Sequence, residues 1–133
     1  MKLLGLAVVL ALAFPGTAGT LVGPATIEVN GRPLSFTQRE GYSIRRASLT
    51  DRNGRTVGRS YLICFTISKF ERGCRGAYTF PRGVITVAGP VQDNGYVLAV
   101  TGGTGLYNNA RGAMKVTPSG AQTRHRVFFQ LIG

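Results

Sequence analysis

Few side chains in this sequence are of the types that do acid–base, nucleophilic or ligand-holding work. Five Asp and Glu and one His stand against sixteen Lys and Arg. Glu28, in the strand-like stretch Ala25 to Val29, would serve as an anionic stabiliser or general base if folding buried it and raised its pKa; at the surface it is an ordinary strand carboxylate. His125 alternates in phase with Val127, Phe129 and Leu131, with Arg124, Arg126 and Gln130 on the other side. If the apolar face points inward, the histidine looks into the interior near one rim, either as an acid–base group or as a structural side chain. No serine or cysteine nucleophile motif accompanies it. Tyr61, Tyr78, Tyr96 and Tyr107 are apolar bodies with polar tips, suited to lining a ligand cavity or to core and interface packing. Arg111 would hold a ligand carboxylate or pair with one of the few acids.

Glycine is the other resource. The run Gly102, Gly103, Thr104, Gly105, Leu106, Tyr107 has the look of a phosphate loop, but its spacing is wrong for one. A Walker loop needs a lysine and a hydroxyl after its last glycine, where Leu106 and Tyr107 stand, and the dinucleotide fingerprint fails at Asn108 with no helix following. The run is read as a bulged connection between two strands.

Stepping outward, the N-terminus has the pattern of an export leader. Lys2 supplies positive charge, Leu3 to Phe14 an apolar stretch, Pro15 a break, and Gly16 to Thr20 the small residues of a cleavage region after Ala18 or Gly19. Twelve apolar residues are too short to cross a bilayer comfortably. Residues 1–19 are therefore read as a signal peptide and 20–133 as one exported domain, secreted or periplasmic, with no transmembrane segment after cleavage. Loss of Lys2 leaves fifteen basic residues, thirteen of them arginine, and a net charge of +10. Such a field attracts anionic partners without choosing one; the arginines are spread rather than clustered, and nucleic acid is not expected as a partner of an exported protein. Cys64 and Cys74 in an oxidising compartment are expected to pair. With one histidine they make a poor zinc set, and no metal or other cofactor is implied.

Almost nothing after the leader is helical. Turn residues recur about every eight to twelve positions, the pattern of an all-β sandwich or barrel. Asn30 and Gly31 read as a two-residue hairpin turn between Ala25–Val29 and Leu34–Thr37, with Pro33 suiting an edge or bulge. Strands follow at Tyr42–Thr50, Thr56–Ser68, Cys74–Phe80, Val84–Ala88, Tyr96–Thr101, Gly112–Thr117 and Thr123–Ile132. In the longest, Tyr61, Ile63, Phe65 and Ile67 share one face and Ser60, Leu62, Cys64, Thr66 and Ser68 the other. Both faces carry apolar side chains, which fits a partly polar lumen inside and a covered surface outside, as in a homo-oligomer. About eight strands are enough to close a barrel that holds its own side chains or one small ligand.

The ordered combination Gly83-Val84-Ile85-Thr86-Val87-Ala88-Gly89-Pro90, then Leu98-Ala99-Val100-Thr101-Gly102-Gly103-Thr104-Gly105, then Ala110-Arg111-Gly112 resembles the allene oxide cyclase and dirigent superfamily, above all its exported bacterial barrel proteins. The resemblance runs from about Gly54 to Leu131 and implies an eight-stranded, calycin-like antiparallel barrel. Plant allene oxide cyclases isomerise a fatty-acid epoxide inside the barrel, whereas dirigent proteins steer radical coupling without chemistry of their own. The plant enzymes' Glu-x-Asn and Gly-Leu-Cys patterns fall on Glu28–Asn30 and on Cys64. Three readings follow. The first is a dirigent-like barrel holding a small apolar or aromatic molecule; the second is an isomerase or cyclase of a reactive lipid or polyene that uses Glu28; the third is a structural or host-interacting protein with a filled interior.

Overall fold

The computed structural model describes residues 24–91, 95–119 and 124–132. The leader assigned to residues 1–19 lies outside them. Eight strands form one closed antiparallel barrel: β1 (Ala25–Arg39), β2 (Tyr42–Thr50), β3 (Thr56–Ser68), β4 (Glu71–Phe80), β5 (Gly83–Val91), β6 (Tyr96–Gly105), β7 (Gly112–Pro118) and β8 (His125–Leu131). Each strand pairs with its sequence neighbours, and β8 returns to pair with β1 from Ala25↔Leu131 to Gly31↔His125, which leaves no open sheet edge. The strand spacing left a sandwich or a barrel open, and this is the eight-stranded barrel that the family resemblance implied.

The hairpin expected at Asn30–Gly31 is not there. β1 runs straight through both residues because it is paired on both sides, Gly31 lying between Leu49 and His125. Gly31 provides space instead of a turn: a Cβ there would sit 2.2 Å from His125 Nε2, so the imidazole occupies the volume a side chain would take. The chain reverses at Glu40–Gly41, between β1 and β2. The Pro33 expectation does hold, since the β1–β2 register shifts between Pro33 and Ser35. A proline that cannot donate to the ladder is accommodated by a bulge.

Alternation then sorts the interior. Val29, Leu49, Leu62, Tyr78, Phe80, Ile85, Val87, Leu98, Met114, Val116, Val127, Phe129 and Leu131 are buried in one continuous core. In β3 the inward face is Ser60, Leu62 and Cys64, while Tyr61, Phe65 and Ile67 stay exposed on the outside. Cys64 and Cys74 are register partners on β3 and β4, both buried, and form a disulfide. It closes a loop of ten residues in sequence separation. Confining a loop of that size in the unfolded chain is worth about 3 kcal/mol. The Cys64→Ala/Cys74→Ala double variant is therefore expected to unfold at lower denaturant, with a stability loss of about 3 kcal/mol in urea titrations.

Candidate ligand-binding cavity

The core is not uniform along the barrel axis. At the end where β1 begins and β8 ends, aromatic rings fill the lumen. Phe129 packs edge-on to Tyr78 at 5.3 Å and to Phe80 at 6.1 Å, and Phe80 lies 6.0 Å from Tyr107. Edge-to-face contacts of this kind are favourable beyond the area they bury. Together the four rings plug that end.

The other end is open. A cavity of about 590 Å³ enters there and stops at Tyr78, Leu62, Ser60, Ala47 and Val116. That volume lies within the range of small-molecule sites. Its rim carries Pro33, Phe36, Arg45, Tyr96, Pro118, Arg124 and His125. Phe36 and Arg45 are register partners on β1 and β2, and the guanidinium carbon of Arg45 lies 5.4 Å from the Phe36 ring centre. Such stacking holds a long, otherwise mobile side chain in place at the mouth. Arg45 is in phase with buried Ser43, Ala47 and Leu49, so strand alternation aims it at the lumen.

The electrostatics of the cavity come from phenols and cations. Burial pushes the Tyr78 hydroxyl well above its usual range, and the neighbouring Tyr96 phenol adds to this. Burial also raises Tyr96, partly offset by the nearby Arg45 and Arg72 guanidinium groups. Both phenols are thus neutral donors at physiological pH. No Asp or Glu is among the described residues that line the cavity.

Raised phenol pKa values have a consequence for stability. The unfolded chain ionises its tyrosines near pH 10 while Tyr78 and Tyr96 in the fold keep their protons. The folded state therefore binds more protons than the unfolded state above pH 10, and stability falls as pH rises there. Tyr78 alone gives a slope of up to about 1.4 kcal/mol per pH unit, Tyr96 adds to it in the same direction, and Tyr78→Phe is expected to remove the Tyr78 share in urea midpoints measured from pH 8 to 11.

The residues singled out from sequence are scattered over the barrel. His125 lines the cavity mouth, as its phase with Val127, Phe129 and Leu131 required. Tyr78 and Tyr96 line it as well. Glu28 faces out: its side chain is 49% exposed, and its Oε2 lies 3.5 Å from Arg126 Nε. Tyr61 is 44% exposed on the outer surface, among Tyr42, Phe65 and Ile67. Tyr107 belongs to the aromatic plug, with its hydroxyl pKa raised by burial and partly lowered by Arg82. Arg111 is exposed in the β6–β7 connection at the plugged end, where its carbonyl accepts from the Ile132 N–H at 3.0 Å. Cys64 is committed to its disulfide. Phe36, Arg45 and Ser60 are among the lining residues that sequence reasoning passed over. The signal for Arg45 was present, since an arginine in phase with Ala47 and Leu49 points to the interior.

The glycine run sits at the plugged end, and none of its residues lines the cavity. β6 runs to Gly105, its register with β5 shifts between Thr86 and Val87, and the turn that follows is tied by Leu106 N–H to Arg82 O at 2.9 Å and Tyr107 N–H to Thr104 O at 3.1 Å. It is a bulged strand connection.

A closed eight-stranded antiparallel barrel, with no helix among the described residues, is the fold of the allene oxide cyclase and dirigent type. Two solved structures share this barrel fold. A pyocyanin demethylase superposes with a TM-score of 0.71 at 20% identity, covering 80% of this chain and 99% of that one. The pterocarpan synthase dirigent protein GePTS1 superposes with a TM-score of 0.52 at 14% identity, covering 81% of this chain and 82% of that one. No protein-family model matches the sequence, and no curated protein matches it by sequence.

Proposed function

We propose that this chain is an exported small-molecule-binding barrel that holds one small apolar or aromatic molecule in the cup above Tyr78. The observation that carries the reading is the half-filled lumen: a protein selected only for a stable barrel would pack both ends, whereas here packing stops at Tyr78 and leaves about 590 Å³ open. The pyocyanin demethylase and the dirigent protein among its structural neighbours both fit a barrel that takes a small molecule. An isomerase built on Glu28 is not favoured, because that carboxylate is ion-paired on the outer surface.

Export by a leader ending after Ala18 or Gly19 fits a barrel stapled by a disulfide, and N-terminal sequencing of the secreted protein is expected to begin at Gly19 or Thr20. The exposed outer stripe of Tyr42, Tyr61, Phe65 and Ile67 supports association between copies, readable as the subunit number in native mass spectrometry.

The cavity is tested by titration with neutral 2-naphthamide. Saturable one-to-one binding is expected in the wild-type protein and in Glu28→Ala, with loss in Ala47→Phe, whose added ring would occupy the cup floor. A second variant that leaves the packed cup floor unchanged, Tyr96→Ala at the rim, is expected to weaken the same titration about tenfold through loss of one aromatic contact. Equal binding in all four proteins would overturn the reading.

A further inference from the structure

Resting on that reading, we infer that the cup selects a compact, ring-shaped organic anion, whose rings sit on Tyr78, Tyr96 and Phe36 and whose acidic group is held at the mouth by Arg45. Two independent observations define this class.

The first is charge. Arg45 is aimed into the lumen by its strand phase and braced over Phe36 at 5.4 Å. It is close enough to Tyr96 to lower that phenol's pKa against the effect of burial. Arg46 and Arg124 stand on the same rim, and the described lining contains no carboxylate. A cation at the boundary between solvent and an apolar pocket gains most from an anionic partner, since the pair is only partly screened there. The planar guanidinium also offers two parallel donors to a carboxylate. A neutral guest would leave that potential unused.

The second is shape. The cavity is short and blunt because Tyr78, Phe129, Phe80 and Tyr107 close the lumen beneath it, with ring centres 5.3 to 6.1 Å apart. A long acyl chain has no channel to enter beyond Tyr78. The walls above are Tyr96, Phe36, His125, Pro33 and Pro118, flat faces that suit stacked rings.

The test is a set of calorimetric titrations of the whole secreted protein, using 2-naphthoate, neutral 2-naphthamide and palmitate as probes. Naphthoate is expected to bind about tenfold tighter than naphthamide, to lose that advantage in Arg45→Gln, and to weaken with added salt while naphthamide does not. Because the chain is strongly basic overall, Arg52→Gln in the exposed β2–β3 turn at the plugged end removes the same charge far from the cup. It is expected to leave naphthoate binding unchanged. An equal loss in Arg52→Gln would overturn the role of Arg45. Equal binding of naphthoate and naphthamide would overturn the anion preference while leaving the cavity reading intact, and palmitate binding as tightly as naphthoate would overturn the shape argument. Failure of both naphthalene probes to bind would overturn the cavity reading itself.

Discussion

Phe129→Ala is expected to lower the unfolding free energy by about 3–5 kcal/mol, the usual cost of truncating a fully enclosed aromatic side chain. Phe129 is 0% exposed and is the central ring of the plug, touching both Tyr78 and Phe80. Its removal forfeits hydrophobic transfer, two edge-to-face contacts and the close packing of the lumen. A closed barrel cannot collapse onto the gap, because its diameter is fixed by strand number and stagger, so the cost falls at the upper part of the range. Thermal midpoints would drop by roughly 12 °C or more for a domain of this size. The same change has a functional signature. Without Phe129 the Tyr78 ring that forms the cup floor loses the ring it leans on, so the floor can give way into the space below, and palmitate is expected to bind Phe129→Ala more tightly than it binds the wild-type barrel. Phe129→Leu, which keeps most of the volume, should cost clearly less and should not admit the acyl chain. A Phe129→Ala variant as stable as wild type in urea titrations would contradict the packed plug.

Much of the architecture was legible because it follows from period and punctuation. The strand Thr56–Ser68 is the same in sequence and structure, since thirteen residues without proline, rich in β-branched and aromatic side chains and bounded by turn residues, admit little else. The strand count was sufficient for closure, and the family resemblance singled out the barrel over a sandwich. What could not be read was phase relative to the lumen. In β3 both faces are apolar, so Tyr61 and Leu62 were equally good candidates for the inside, and only pairing with β2 and β4 places Leu62 inward. Asn30–Gly31 carries a strong local turn signal, yet tertiary pairing on both sides overrides it and the glycine accommodates the His125 ring. Local propensity is a weak prior when two neighbouring strands complete the ladder. The site shows the same division. His125 was found because its phase partners are unambiguously apolar. Phe36 was not, because the bulge between Pro33 and Ser35 shifts the alternation of β1 before it reaches Phe36. Resemblance drew attention to Glu28 and Cys64, and neither position offers a free catalytic group to the cavity: the carboxylate is outside and the sulfur is in a disulfide.

Gly112→Ala is expected to cost about 4 kcal/mol, more than its partly exposed setting at the start of β7 suggests. Gly112 has φ of 136°, a region essentially reserved for glycine, and this alone costs about 1–3 kcal/mol for any residue with a Cβ. In addition, the Cβ would lie 2.1 Å from the Gln130 carbonyl oxygen and 3.1 Å from Leu131 Cα. Both are backbone atoms of β8, so relief requires moving a strand that is paired on its other side with β1. Overpacking of that kind adds about 1–3 kcal/mol. Gly41→Ala separates the two contributions. Gly41 also has a positive φ, 86°, but nothing lies within 4 Å of a Cβ built there, so it bears the backbone term alone, about 1–2 kcal/mol. Urea titrations of the two variants should therefore differ by about 2 kcal/mol, and equal losses would show that the collision with Gln130 is relieved at no cost. The sign of that difference also explains why Ala110-Arg111-Gly112 marks this scaffold and says nothing of the ligand. The glycine is required where β7 crosses close against β8 at the plugged end, on the far side of the aromatic rings from the cup, and any guest above Tyr78 leaves that requirement unchanged.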